Sequence, residues 1–210
     1  MADRTDGTTD VADSMTRFVT SYRLNYQKGF RVRYEFTNSY HHIFWIIMIT
    51  ICALRYSLIL IDTPGFGDSR GLEFDQQTVN SLKAFFNNLE GYRIDELSSI
   101  GLVIQASQSR LTAEQMYVFN SVLDIFGNDV AKNICLLFTF ADAQPPPALA
   151  TVKKEGIPFG ENGVFKFNNS AVFADNTDDE ATKYYWKFGF DSLRKFFQVP
   201  MTYSYLIGKF

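Results

Sequence analysis

Three nearly unbroken apolar runs, separated by segments with helical spacing, constrain this chain more than any other feature. They are "YSLILI" (56–61), "SSIGLVIQAS" (98–107) and "NICLLFTF" (133–140). A strand that is apolar on both alternating faces must be covered on both, which is the pattern of strands in parallel sheets. After the first run, Val79, Leu82, Phe85, Phe86 and Leu89 share one stripe of a helix over 75–91. After the second, Thr112 and Gln115 make a capping box that opens a helix running to Gly127. Pro147 starts a short helix that stops near Gly156. "VFKFNNSAVFA" (164–174) reads as a further strand and 178–198 as a final amphipathic helix. The expected fold class is α/β: a doubly wound, mostly parallel sheet with helices on both faces.

Upstream, Phe18, Thr20, Tyr22, Leu24 and Tyr26 alternate as one face of a strand, "QKG" (27–29) is a turn, and "FRVRY" (30–34) begins a returning strand. The dipeptide Arg33–Tyr34 recurs as Arg55–Tyr56, and joining the two copies restores a single strand, "GFRVRYSLILIDTPG". Residues 35–55 therefore read as a hydrophobic insertion. The organisation expected is a disordered tail over 1–15, one α/β domain over 16–198 carrying that insertion, and a C-terminal tail over 199–210.

Composition narrows the function classes. The chain has 210 residues, 46% hydrophobic and 20% charged, which suits one globular domain with a sizeable core. A formal charge of −3 supplies no basic field for nucleic acid. Cys52 and Cys135 lie in apolar runs, and the adjacent His41 and His42 point to opposite faces of an extended segment, so neither a disulfide framework nor a metal site is expected. A reducing, cytoplasmic setting follows. One alternative stays open. "IFWIIMITICAL" (43–54) with "YSLILI" approaches membrane-span length, although Arg55 would cost about 2.5–3.5 kcal/mol near a bilayer centre. Membrane association through 36–61 is the competing expectation.

The loops after the strands hold the chemistry. "LILIDTPGFGDSR" (58–70) ends an apolar strand on Asp62 and follows it with glycines. One reading is a strand exit in which Asp62 caps a turn. The other is a phosphate- and magnesium-sensing loop at the carboxyl end of a parallel strand, where open α/β sheets place their ligands. Magnesium favours a hard carboxylate oxygen and keeps its waters, and glycine lets backbone approach a phosphate closely. The next loops are "TFAD" (139–142) and "NNSA" (168–171).

Taken together, "LIDTPGFGDSRG", "LTAEQMYVFNSVLDIFG", "LFTFADAQPPP" and "FKFNNSAVFA" resemble a septin-like or immune-associated (GIMAP-type) G domain of the P-loop GTPases, from Phe18 to Phe197. The resemblance implies GTP or GDP with Mg²⁺ as ligands. It implies Asp62 at the magnesium through water and Gly65 at the terminal phosphate. It implies Thr139, Asp142, Asn169, Ser170 and Ala171 around the guanine, and pairing of two G domains through their nucleotide faces. Phe140 stands where the family's base loop carries a lysine, and its ring offers a cover for the base face.

Two departures shape the expected activity. The phosphate cradle G-x-x-x-x-G-K-[ST] does not occur in these 210 residues, whose single Gly-Lys pair is Gly208–Lys209. Phe66 follows Gly65 where many G domains carry the glutamine that orients the attacking water. The expectation is a G-domain-like protein, degenerate or truncated, with weak or no GTP hydrolysis. The alternatives are a working GTP-binding regulator with an incomplete N-terminus, and a membrane-associated interaction protein.

Overall fold

The computed structural model describes residues 20–24, 58–64, 72–87, 96–172, 174, 179–198 and 205–206. The tail over 1–15, the strand start at 30–34, the insertion over 35–55, Gly65, Phe66 and Leu89 lie outside the described residues. The described elements are β1 (Thr20–Leu24), β2 (Leu58–Asp62), α1 (Leu72–Asn87), β3 (Glu96–Leu97), β4 (Ile100–Gln105), α2 (Ala113–Phe126), β5 (Ile134–Thr139), α3 (Pro147–Lys154), β6 (Val164–Lys166), α4 (Glu180–Gln198) and β7 (Tyr205–Leu206). Short 3-10 turns at Asn128–Asn133 and Ser170–Val172 complete them.

β4, β5 and β6 form a parallel sheet with β5 in the middle. The side chains of β5 alternate between two cores. Ile134, Leu136 and Phe138 join a large cluster with Leu102 and Ile104 of β4, Val79 and Leu82 of α1, Phe119 and Ile125 of α2, and Val152 of α3. Cys135 faces the other way, into a smaller cluster with Phe165 and Phe167, against which Leu193 and Phe196 of α4 pack. The fold is thus α/β, with helices on both faces of a parallel sheet. Leu136 and Phe138 are buried on one face and Cys135 on the other, which accounts for the unbroken apolar run of β5.

β1 and β2 pair antiparallel in the register Thr20↔Asp62 to Leu24↔Leu58. The hairpin expected from the alternating pattern is present at that pairing, its first strand trimmed to Thr20–Leu24. Among the described residues it shares no strand pairing with the parallel sheet. On β4, Leu102 and Ile104 are buried while Val103 between them is 67% exposed, so the second face of this strand carries less cover than that of β5.

Local signals account for the helix boundaries. Thr112 accepts from the Gln115 amide at 3.3 Å, and the Gln115 side chain accepts from the Thr112 amide at 2.9 Å. Gly127, at φ 84°, ends α2 in a conformation that glycine adopts without strain. Pro147 opens α3, whose missing amide hydrogen would have had no helical partner.

Three expectations need correction. The strand over 164–174 stops at Lys166, because the Asn168 side chain accepts from the Ser170 amide at 3.0 Å and turns the backbone into the 3-10 turn. The helix expected from 75 begins at Leu72, with Glu73 and Asp75 in its first turn, where carboxylates complement the helix dipole. Within the segment read as a tail, β7 pairs antiparallel with β3.

Candidate functional site

Because β4, β5 and β6 are parallel, the loops that follow them gather at one edge of the sheet. Backbone bonds lace this edge together. The Ala106 amide donates to Thr139 O at 2.9 Å, Ala141 N to Phe167 O at 3.0 Å, and Ala148 N to Ala106 O at 3.3 Å. The loop after β5 therefore lies between its two neighbours.

Side chains from β6 and beyond fix that loop further. Asn168 Nδ2 donates to Ala141 O at 3.1 Å, and Lys166 Nζ donates to Ala143 O at 2.8 Å and Gln144 O at 3.3 Å. Asp142, in between, is exposed and accepts from the Gln144 amide through Oδ1 at 2.8 Å. The exposed carboxylate keeps further acceptor capacity on Oδ2.

Phe140 is the unusual member. Its φ is 51°, the left-handed region that costs a non-glycine residue roughly 1–2 kcal/mol. The residue is 78% exposed, so core packing does not explain the conformation. A large aromatic ring is thus held in water, two residues before an exposed carboxylate, on a loop clamped from both sides.

The expected base-contacting residues divide on inspection. Asp142 lies one strand away from the Asn169, Ser170 and Ala171 turn, and Asn168 spans the gap by bonding both Ala141 O and the Ser170 amide. The Thr139 hydroxyl is turned to the sheet, donating to Ile104 O of β4 at 3.5 Å. Asn168 stands inside the "NNSA" motif without an expected role and Lys166 in no loop motif, because both hold the loop and neither was expected at the base. The signal available was Asn168 beside Asn169, a doubled turn-former directly after a strand.

Asp62 ends β2 on the hairpin. The helix after its loop, α1, runs alongside α2 in the same direction. Tyr117 Oη donates to Gln76 Oε1 at 2.8 Å near both helix starts, and Phe86 meets Phe126 edge-on at 5.2 Å near both ends. α1 therefore begins at the end of the molecule where α2 begins.

Asp62 is half-buried at the end of β2, and a magnesium ion that keeps most of its water would ask one carboxylate oxygen of it; among the described residues no three His, Cys, Asp or Glu side chains gather as a metal cluster. The base end fits its group better: an exposed ring and an exposed carboxylate match a flat heterocycle with N–H donors on its edge. Among the described residues no helix is long and apolar enough to cross a membrane.

No family model matches the chain, and neither does any curated protein. Among solved structures, a dimerization-deficient mutant of Toc33 from Arabidopsis thaliana is similar at a TM-score of 0.49 and 13% identity, covering 70% of this chain and 66% of that one. Toc33 in complex with GDP and Mg²⁺ is similar at 0.47 and 16%, over 70% of this chain and 66% of that one. A structure bearing on the GTPase activity of chloroplast translocon components is similar at 0.48 and 17%, over 73% and 67%. The chain spans about two thirds of the length of these structures.

Proposed function

We propose that this chain is a guanine-nucleotide-binding, G-domain-like protein of the septin-like or immune-associated type, with weak or no GTP hydrolysis. The observation that carries the reading is Phe140, a strained and exposed aromatic fixed beside the exposed carboxylate of Asp142. Ring and carboxylate are the two parts needed to take a guanine, one covering its face and the other accepting from its edge. A cost of roughly 1–2 kcal/mol in the backbone persists only where surrounding structure enforces it, and such residues concentrate at ligand sites. Here the enforcing groups are Asn168 and Lys166.

The phosphate end is the weaker half. These 210 residues contain no cradle lysine, and Asp62 meets a triphosphate as a like charge unless magnesium mediates. Phe66, outside the described residues, has no group able to orient a water. Affinity should accordingly come from the base, with little difference between GTP and GDP.

Calorimetry with Mg²⁺-GTP, Mg²⁺-GDP and Mg²⁺-ATP tests this. Guanine nucleotides are expected to bind more weakly than about 0.1 mM, near −5.5 kcal/mol, with ATP weaker still and Asp142→Ala abolishing the preference. Equal affinity for ATP and GTP, or a guanine preference that survives Asp142→Ala, would refute the assignment.

A further inference from the structure

Just beyond Asp142, the same β5–α3 loop lines a concavity. A groove of about 450 Å³ lies between the β5–α3 loop, β6 and α4, lined in part by Ala143, Pro146 and Leu149. Asp142 does not line it. Its size falls in the range of small-molecule sites, roughly 300–1,000 Å³.

Its chemistry is uneven. Phe165, Tyr184 and Phe188 supply aromatic surface, and Tyr184 stacks on Phe188 at 6.1 Å with planes 21° apart. Tyr184 is 50% exposed, far more than a side chain placed for core packing. Against these surfaces stand Lys166, Lys187 and Lys195, opposed by the single carboxylate of Asp191. Lys187 pairs with Asp191 at 2.7 Å, leaving two positive charges in excess. The Asp191 carboxyl is held below its ordinary range by the hydrogen bond from Lys187, and by the charges of Lys187, Arg194 and Lys195. The ammonium of Lys166 lies 5.8 Å from the Phe188 ring centre, so charge and aromatic surface adjoin.

We propose that this groove binds a small amphipathic anion, an apolar, flat body carrying one acidic group. The body lies against Tyr184, Phe188 and Phe165, and the acidic group meets Lys195 and Lys166. Lys166 also donates to Ala143 O and Gln144 O, so an anion drawing on its ammonium loosens one clamp of the loop in front. The groove is separate from the nucleotide reading and stands or falls without it.

Anilinonaphthalene sulfonate is the probe, with its uncharged parent anilinonaphthalene as the control that keeps the body and removes the charge. The full chain is titrated by fluorescence, and the amide resonances of the isotope-labelled protein locate the site. Saturable binding of the sulfonate is expected, at least about tenfold tighter than the parent, a difference of 1.4 kcal/mol. Shifts are expected at Ala143, Leu149 and Ser192. Lys195→Glu should weaken the sulfonate at least about threefold while leaving the parent unchanged. Tyr184→Ala should weaken both. Both side chains are exposed, so folding is not at stake. Equal affinity for charged and uncharged probes, indifference to both substitutions, or shifts confined to Gly101–Gln105 would each overturn the proposal.

Discussion

Replacing Phe140 by alanine and by glycine separates its backbone strain from its ring. Both variants lose the same exposed ring, so any burial term is common to the two. They differ in one atom: alanine keeps the Cβ that makes φ 51° unfavourable, and glycine removes it. Relief of the left-handed conformation is worth roughly 1–2 kcal/mol. Glycine's greater freedom in the unfolded chain offsets about 0.4–1 kcal/mol. The net leaves the glycine variant more stable than the alanine variant by about 0.5–1 kcal/mol, the reverse of the order at an ordinary position. With a urea slope of about 2 kcal/mol/M, the midpoint of Phe140→Gly should lie about 0.3–0.5 M above that of Phe140→Ala, at unchanged slope. A midpoint for the alanine variant equal to or above that of glycine would refute the strain. The same pair tests the ring. Base–aromatic stacking is worth about 1–3 kcal/mol by alanine substitution, so both variants should lose guanine nucleotide by about 5–150-fold, while Phe140→Tyr retains it. Ligand-observed NMR reads affinities this weak, and unchanged binding in both variants would remove the ring from the site.

Further outcomes follow from the core and its edges. Gly160→Ala would bring a Cβ to 2.5 Å from Lys132 O, and relief through backbone movement should cost about 1–3 kcal/mol, read as a lower melting temperature. Leu136→Ala, at a fully buried position of the central strand, should cost about 2–5 kcal/mol in urea denaturation. Thr112→Ala removes the capping acceptor of α2 and should cost about 1 kcal/mol, with circular dichroism showing the helix retained. Burial raises the Cys135 thiol above its ordinary value of 9.0, partly countered by the Ser99 hydroxyl. The folded state therefore holds this proton to higher pH than the unfolded state, and the stability it contributes is present below pH 9.0 and lost as pH rises beyond it. Urea midpoints for the parent should fall more steeply than those of Cys135→Ala between pH 8 and pH 10, as estimated from the ordinary thiol range.

What could be read in advance was local. The capping box, the start of α3 at Pro147 and the unbroken apolar run of β5 each arise from side chains acting within a few residues of their own position. The β1–β2 pairing was legible because alternation marks a face even when the partner is distant in sequence. What escaped depends on groups brought together by the fold. The β3–β7 ladder is two residues long on each side, too short for a pattern. β6 ends early through Asn168, whose second partner, Ala141, belongs to another loop. Nothing in the sequence around Lys166 marks its ammonium as a donor to the carbonyls of the Asp142 loop, which only the fold brings within reach. The φ of Phe140 is invisible in the residue name, because left-handed backbone is signalled by glycine or asparagine and this position has neither.

The central place of β5 also ranks how parts of the molecule exchange their amide hydrogens. Its amides are paired in a ladder with a neighbour on each flank and covered by side-chain clusters on both faces. No small opening frees them, so their exchange with solvent deuterium should track unfolding of the whole domain. The β1–β2 hairpin pairs only within itself among the described residues, and the β3–β7 ladder holds two residues on each side. These should exchange through separate, lower-energy openings that leave β5 protected. Deuterium uptake would then progress inward from the ladders at the margin, and the Asp142 loop, rooted at the end of β5, would keep its foundation while Asp62 and its hairpin exchange freely.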